Sequence, residues 1–411
     1  MSERAPLHLF EGYGIELEYM IVDRDSLAVK PVTDRVLQQV SGEIVNEIER
    51  GPLCWSNELV LHVIELKTNG PAPGLKGLAA QFQSGIAQVN EQLAGLNARL
   101  LGTAMHPWME PHRETVLWPH ENSPIYDAYN RIFGCQGHGW SNLQSMHINL
   151  PFSGDAEFGR LHAAIRLVLP LLPALAASSP IVSGEATGLL DNRLEFYRNN
   201  QKMIPEIAGQ VIPEAVFTRA DYEDQILAAT YRAIAPHDPQ NVLQEEWLNS
   251  RGAIARFERS AIEIRLLDIQ ECPMADLAIA ALTIALIRAL CKECWIGLHH
   301  QQEIAVAPLA ELFKRTLQGG GDDLIDVPDY LSCFGVLEER ISVADLWRRI
   351  YEQLESDIPM EYRAALEVIL HTGPLAGRIL QALPQGFSQA ELAAVYRQLA
   401  DCLHQGVMFH G

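Results

Sequence analysis

Apolar and polar residues alternate near the start of the chain, which is the pattern of a β-strand with one face on a core. In residues 14–19, three apolar side chains alternate with Glu16 and Glu18. Because successive side chains of a strand point to opposite faces, the two carboxylates lie side by side. Two anions on a half-buried face repel each other, and a bound cation relieves that repulsion. The segment therefore indicates a metal site or, as the simpler alternative, the solvated face of an antiparallel strand.

The same alternation returns in two later segments. Residues 145–150 place His147 on a polar face opposite three apolar residues. Residues 260–266 place Glu263 and Arg265 together on a polar face, again opposite three apolar residues. An imidazole, another carboxylate and a guanidinium thus join the first two acids as candidate functional groups.

A fourth segment, residues 58–66, is apolar on both faces apart from His62 and its two terminal acids. This pattern predicts a central strand that is covered on both sides. Seven residues separate Glu58 from Glu65, so these acids share a face only where a bulge or a strand end intervenes. Together the four segments predict one polar cavity built on a sheet.

Helical patterns cover much of the remaining chain. Residues 75–100 and 161–176 predict helices, and Arg166 and two prolines interrupt the second. Its uninterrupted apolar length is below the ~20 residues that a membrane span needs, so we expect a buried core helix. A further apolar helical run covers residues 277–296. Beyond residue 300 the pattern predicts helices at 306–318, 342–355, 360–370 and 388–404.

These elements predict a single α+β domain over residues 1–411. The length would also suit two or three average domains, but no linker or internal repeat divides the chain. Strands and helices share the first 300 residues, and residues 301–411 are expected to form a mostly helical C-terminal part.

Composition and charge exclude some classes of partner. The formal net charge of −21 argues against a nucleic-acid partner, because binding to phosphates needs a basic surface. The 48% hydrophobic and 20% charged content is ordinary for a soluble globular protein, and we expect no membrane partner. Local positive charge comes from four closely spaced arginines, namely Arg251, Arg256, Arg259 and Arg265.

The cysteines predict neither disulfides nor zinc. The seven are scattered, and no signal peptide is visible at the start, so we expect a cytoplasmic protein with free thiols. Cys291 and Cys294, followed by two histidines, resemble half of a zinc site. A structural site needs a second pair, so buried helix cysteines are favoured. The chain has no nucleophile-elbow, zinc-protease or P-loop motif.

Several short blocks resemble a known family in both content and order. The chain is similar to the carboxylate-amine ligases related to glutamate–cysteine ligase, within the glutamine synthetase-like superfamily. A further block, Ser178-Ser179-Pro180 followed by Arg193 and Arg198, resembles the segment after the family's long helix. The chain departs from the family at Ser145, where relatives often have His, and at Glu58, where they frequently have Asp. The main blocks are residues 14–18, Glu58 with 65–66, 103–108, 144–148 and 261–268.

This resemblance implies a fold and an activity. The implied fold is the α+β, glutamine synthetase-like catalytic fold, a largely antiparallel sheet lined by acidic residues and covered by helices. The implied enzyme is an ATP-dependent ligase that phosphorylates a carboxylate, often the γ-carboxylate of glutamate. An amine such as cysteine then displaces the phosphate from this acyl phosphate and forms an amide. The implied cofactors are ATP and Mg²⁺, which suit clustered carboxylates, and the partners are two small molecules, an amino acid and an amine.

The resemblance also implies residue roles. Glu263 and Arg265 would be catalytic, and Arg265 would hold a transferring phosphate or the substrate carboxylate by bidentate contacts. Together with Arg265, Arg193 and Arg198 would bind the anionic cofactor. The ligands of Mg-ATP, or their close neighbours, would be Glu16, Glu18, Glu58, Glu65, His147 and Glu263.

Two alternatives keep the fold and change the outcome. One is a phosphotransfer to a guanidino group, as in phosphagen kinases, without amide formation. The other is a non-catalytic relative that only binds a ligand. Six costly polar groups on core strands argue against the second alternative. A homo-oligomer is compatible with the sequence.

Overall fold

Strand β1, Gly14–Asp23, lies inside an eight-stranded antiparallel sheet. The structure, a computed structural model, describes residues 6–411. The further strands are β2 Glu47–Arg50, β3 Leu53–Asn57, β4 Val63–Thr68, β5 Ala98–Leu101, β6 Ser145–Pro151, β7 Ile181–Val182, β8 Glu185–Ala186, β9 Ala253–Arg256, β10 Ala261–Asp268, β11 Leu324–Ile325 and β12 Ile341–Ser342. The order of the main sheet is β2-β3-β4-β1-β6-β10-β9, and β5 pairs with the last four residues of β1.

Strand register brings the predicted polar residues together. Glu18 of β1 lies opposite Glu65 of β4, and Glu16 lies opposite His147 of β6. Glu263 of β10 lies opposite Asn149 of β6. The apolar residues between these positions are fully buried on the other face of the sheet. The alternation in three of the four predicted strand segments is therefore confirmed.

Helices and the apolar face of the sheet form one large hydrophobic core. The helices at Leu78–Ala94, Gly154–Val168 and Pro273–Cys291 contribute many of its fully buried residues. The α-helices are α1 Thr33–Ser41, α2 Leu78–Ala94, α3 Pro111–Glu114, α4 Ser123–Phe133, α5 His138–Ser141, α6 Gly154–Val168, α7 Pro173–Ala176, α8 Asn192–Tyr197, α9 Arg219–Tyr222, α10 Ala228–Ile234, α11 Pro273–Cys291, α12 Leu298–Glu303, α13 Val306–Gly319, α14 Pro328–Ser332, α15 Val343–Leu354, α16 Met360–Thr372, α17 Leu375–Ala382 and α18 Gln389–Gln405.

Helix α11 is long and apolar enough to cross a membrane by length and composition alone. Within the protein, 89% of its most apolar window is buried. It packs against α2, α6 and α16, as a core helix does. The helix ends at Cys291, five residues before the end of the predicted run.

The part beyond residue 300 is mostly helical, as the sequence predicts. Helices α13, α15, α16 and α18 lie close to the predicted ranges, and α14, α17 and the short pair β11–β12 are additional. Helices α17 and α18 form a second, smaller core with the end of β1 and with β5. The seven cysteines are all free, in agreement with the prediction.

The predicted central strand at residues 58–66 is wrong. Strand β3 ends at Asn57 and β4 begins at Val63, so a buried turn separates the two strands. The backbone of the turn pairs with the segment 116–118. The amide of Leu61 donates a hydrogen bond to the carbonyl of Val116, over 2.9 Å. A strand end thus intervenes between the two acids at either end of the predicted segment.

Two predicted helices have different bounds. The helix expected at 75–100 is α2, which ends at Ala94, and a turn containing Asn97 with a φ of +50° leads into β5. The helix expected at 161–176 begins earlier, at Gly154, and residues 169–171 form a 3-10 turn where the proline pattern interrupts it. Its burial is as predicted.

Candidate active site

A cavity of about 610 Å³ lies on the polar face of the main sheet. Arg198 lies outside its lining, because its Nε donates to Glu195 Oε2 over 2.6 Å on the partly exposed end of α8. His62 is also outside, buried with its Nε2 2.6 Å from the carbonyl oxygen of Ser141. The other predicted site residues all line the cavity, namely Glu16, Glu18, Glu58, Glu65, His147, Arg193, Glu263 and Arg265.

His147 lies at the centre of the acids. Its Nδ1 is 3.1 Å from Glu16 Oε2 and 3.8 Å from Glu263 Oε1. Asn149, two residues further along β6, donates to the other oxygen of Glu16 over 3.0 Å. Glu16, His147 and Glu263 each offer a ligand atom, and these atoms lie within 4.8 Å of one another.

A second group of possible ligands shares this imidazole. Glu18, Glu65 and His147 also offer ligand atoms within 4.8 Å of one another. Ser145 holds this group in place, since its amide and its hydroxyl donate to Glu18 Oε2 over 2.6 and 2.8 Å. The same hydroxyl is 3.0 Å from His147 Nε2. Ser145 thus positions two possible ligands.

One end of the acid cluster is neutralised by a lysine. Lys67 Nζ is 3.0 Å from Glu65 Oε2 and 2.8 Å from Glu47 Oε2. It also donates to the hydroxyl of Ser56 over 3.0 Å, and that hydroxyl donates to Glu65 over 2.7 Å. Sequence reasoning missed Lys67. It lies two positions after Glu65 on β4, so the strand period would have placed it on the same face had the strand been located correctly.

Arginines neutralise the other end. Arg265 Nε is 2.6 Å from Glu263 Oε1, and Arg256 Nη1 is 3.4 Å from Glu263 Oε2. Arg259, also in the lining, is largely exposed. The sequence predicts local positive charge from a run of four arginines, and three of them line the cavity. The fourth arginine of that run, Arg251, instead pairs with Glu214, 2.5 Å away and outside the cavity lining.

Arg193 reaches the cavity from a buried ion pair. Its Nε is 2.5 Å from Asp268 Oδ1, and both side chains are almost completely buried. Its Nη2 donates to the carbonyl oxygen of Arg265, 3.2 Å away. The pairing of β10 with β6 is irregular between Ile264 and Leu267, directly at Arg265. Arg193 and Asp268 therefore brace the irregular stretch of strand that carries Arg265.

Burial and charge perturb the titration of these groups. Burial lowers the pKa of His147, but the hydrogen bond to Glu16 and the nearby carboxylates outweigh it and raise the pKa to about 9. Burial and the charge of Glu16 raise the pKa of Glu65 to about 7. Burial, Glu65 and Glu18 raise the pKa of Glu58 well above its ordinary value. The acids repel one another, and a cation in their midst would relieve the repulsion.

The two ligand groups fit a divalent cation. They combine four carboxylates and one imidazole in a half-enclosed cavity, and hard divalent cations prefer carboxylate oxygens. Glu58 belongs to neither group. It lies in the turn after β3, beside Asn57, whose amide donates to the hydroxyl of Tyr126 over 3.2 Å.

Four aromatic side chains from outside the main sheet also line the cavity. Tyr126 and Tyr129 extend from α4, and Trp140 and Trp247 join them in the lining. The ring centroids of Tyr129 and Trp140 are 5.3 Å apart, and those of Tyr129 and Trp247 are 6.0 Å apart. Sequence reasoning missed these residues because no periodic signal connects α4 with a loop more than a hundred residues later. We call these four residues the aromatic roof.

The structure has an acid-lined cavity on an antiparallel sheet that is covered by helices. This is the architecture expected of a carboxylate-amine ligase. The model of glutamate-cysteine ligase family 2 matches residues 13–398, and the chain belongs to this family. An uncharacterized protein of Archaeoglobus fulgidus is 32% identical to this chain, and the alignment covers 96% of this chain and 99% of that protein. A "Putative glutamate--cysteine ligase 2" of Ruegeria pomeroyi is 24% identical over 95% of this chain and 94% of its own.

A solved structure has the same fold. The glutamate–cysteine ligase of Francisella tularensis, determined in complex with AMP, matches with a TM-score of 0.60 at 12% identity. The match covers 95% of this chain and 88% of that chain. The α+β fold expected from the resemblance is therefore confirmed. Family and fold together indicate a ligase related to glutamate–cysteine ligase.

Proposed function

We propose that the protein is an ATP-dependent carboxylate-amine ligase that joins the γ-carboxylate of glutamate to an amine through an acyl phosphate, in the cytoplasm. The observation that carries this proposal is the pair of ligand groups that share His147 and are flanked by Lys67 and Arg265. Phosphoryl transfer requires divalent cations and fixed positive charge at the transferring group. The AMP bound to the Francisella ligase of the same fold supports a nucleotide substrate.

The metal would be held by residues from four neighbouring strands. Glu16, His147 and Glu263 would hold one Mg²⁺, and Glu18 and Glu65 would hold a second beside the same imidazole. Mg²⁺ held there would neutralise the charge on the nucleotide phosphates and orient them.

The chain's cations would orient the anionic substrates. Arg265, fixed by Glu263 and by the braced strand, would present its remaining N–H groups to the transferring phosphoryl group. Arg259 is the most exposed cation of the lining and would meet the glutamate α-carboxylate at the entrance. The aromatic roof would limit the access of water, which would otherwise hydrolyse an acyl phosphate.

The proposed reaction has two steps. An oxygen of the γ-carboxylate attacks the terminal phosphorus of ATP, the bond to the bridging oxygen breaks, and ADP leaves. The amine nitrogen then attacks the acyl carbon, the carbon–oxygen bond to the phosphate breaks, and the nitrogen loses a proton. The products are an amide, ADP and inorganic phosphate.

The test is to measure ADP, inorganic phosphate and new amide with ATP, Mg²⁺, glutamate and a mixture of amines. The proposal expects ADP and phosphate in equal amounts, together with a mass equal to glutamate plus amine minus water. ADP with a stable phosphorylated product would indicate a kinase. The absence of ADP formation with every mixture would indicate a binding protein, and either outcome would overturn the proposal.

A further inference from the structure

The cavity is divided by polarity. Its floor consists of carboxylates and their paired cations, most of them on strands of the main sheet, whereas the four side chains of the aromatic roof come from outside the sheet. Phosphates and carboxylates match the floor. The rings of the roof match neither the phosphates of ATP nor glutamate, so they suit either the adenine base or the second substrate.

The roof lies close to the reacting groups. The side-chain amide of Asn57 donates both to the hydroxyl of Tyr126, over 3.2 Å, and to the carbonyl oxygen of Glu58, over 3.0 Å. Tyr126 and Tyr129 line the same cavity as Glu58 and Arg265. In ATP the ribose and two phosphates separate the base from the transferring phosphoryl group. Rings that adjoin the acids and Arg265 therefore suit the second substrate, whose nitrogen must reach the acyl carbon, better than they suit the adenine base.

Three of the four roof residues, Tyr129, Trp140 and Trp247, belong to a separate apolar cluster. Tyr129 packs with Ile132, Leu243 and other buried residues in a core separate from the large one under the sheet. Phe133 stacks on Trp140 with centroids 5.6 Å apart and an angle of 25° between the planes. Trp140 and Trp247 nevertheless remain partly exposed, and both line the cavity. Rings held in place yet partly exposed form a ready surface for a flat apolar group.

We infer that the amine acceptor carries an aromatic ring, which stacks against Trp140 and Trp247 while its amino group points to the floor. This inference rests on the proposed function and specifies its second substrate. A compact acceptor such as cysteine would leave the roof rings uncovered, whereas an arylalkylamine would bury them. The nitrogen forms the amide as above, with release of phosphate and of the amine proton.

The experiment compares two acceptors in the full chain with ATP, Mg²⁺ and glutamate. Hydroxylamine is too small to need the roof, and its hydroxamate product reports formation of the activated acyl group. Phenylethylamine carries an aromatic ring, so its kcat/KM reports whether the acceptor contacts the roof. For the wild type we expect kcat/KM to be at least tenfold higher for phenylethylamine than for cysteine, ethylamine or putrescine. A preference for any of these three would overturn the inference.

Variants then test the residues. In Trp247→Leu and Trp140→Leu, the ratio of kcat/KM for phenylethylamine to that for hydroxylamine should fall at least tenfold, and Trp247→Phe should restore most of it. Trp295→Leu is the matched control, because Trp295 lies outside the cavity and its Nε1 donates to Gln353. An unchanged ratio in both roof variants would overturn the inference. The inference would also be overturned if the main effect of the roof variants were an increase in KM for ATP, measured with hydroxylamine as acceptor. That result would show that the roof binds the adenine base.

The two proposals fail differently. A wild-type protein that forms the hydroxamate without preference for an aromatic amine removes only the acceptor inference. A wild-type protein that forms neither the hydroxamate nor any amide removes the proposed ligase function, and the acceptor inference with it. The melting curve of each variant tests whether a lower kcat/KM ratio is caused by unfolding.

Discussion

At the scale of single residues, Glu263 is held between two guanidinium groups and beside an imidazole. We expect Glu263→Gln to abolish amide formation, because an amide oxygen carries no charge and binds Mg²⁺ weakly. Arg265→Lys should lower turnover by about 10²–10³, since lysine keeps the charge but loses the planar fork. Steady-state rates of ADP and amide formation measure both effects. Wild-type rates in both variants would show that this strand does not carry the chemistry.

The pKa values of Glu65 and His147 predict how the metal-free protein responds to pH. The folded-state pKa of Glu65, about 7, lies above the ordinary value of 4.5, so its contribution to stability is lost as the pH rises towards 7. The folded-state pKa of His147, about 9, lies above 6.5, so its contribution is complete below pH 6.5 and lost towards pH 9. We therefore expect the melting temperature in EDTA to fall between pH 4.5 and pH 9.

His147→Asn is the matched variant for this measurement, because asparagine does not titrate. It should lose the part of the decline between pH 6.5 and pH 9 and keep the part at lower pH. An identical profile in the two proteins would assign the titration to another group.

At the scale of elements, the irregular stretch of β10 depends on the buried pair of Arg193 and Asp268. Removing one partner leaves an uncompensated buried charge, which typically costs ~3–5 kcal/mol. We expect Asp268→Ala to lower the free energy of unfolding by this amount in urea titrations. Glu195→Ala, which breaks the partly exposed pair with Arg198, should cost at most about 1 kcal/mol. Similar losses in the two variants would mean that burial of the first pair has no energetic consequence.

Sequence reasoning was accurate where one periodicity determined the structure. Strands β1, β6 and β10 alternate with a period of two, so their polar faces followed from the sequence. That their acids converge is decided by the strand order and register, which the spacing does not contain. Sequence reasoning failed at residues 58–62, a turn whose backbone pairs with the distant segment 116–118. Arg198 was placed in the site by resemblance, but the end of α8 turns it towards Glu195. The roof depends entirely on tertiary contacts, which no local pattern contains.

At the scale of the whole molecule, the acid cluster predicts a protein stabilised by its cofactor. Mg²⁺ at a hundredfold excess over its dissociation constant would stabilise the folded state by ~2.7 kcal/mol, which corresponds to a rise of a few degrees in melting temperature. The rise should shrink in Glu16→Gln and stay unchanged in Glu311→Gln, whose carboxylate lies exposed on α13. Calorimetry measures both shifts. A melting curve unmoved by Mg²⁺ and Mg-ATP would remove the metal site.

The separate core beneath the roof has a consequence for how such an enzyme diversifies. Tyr126 packs against the large core under the sheet, whereas Tyr129, Trp140 and Trp247 belong to the separate cluster around α4. Two members of this cluster, Trp140 and Trp247, are the residues that we propose to contact the second substrate. Substitutions there are free of the constraints that fix the acids of the floor. An engineer who wants a different amide should therefore randomise the partly exposed Trp140 and Trp247, and leave the sheet, Tyr126 and the buried Tyr129 intact. New specificity would then be gained with little loss of folding stability.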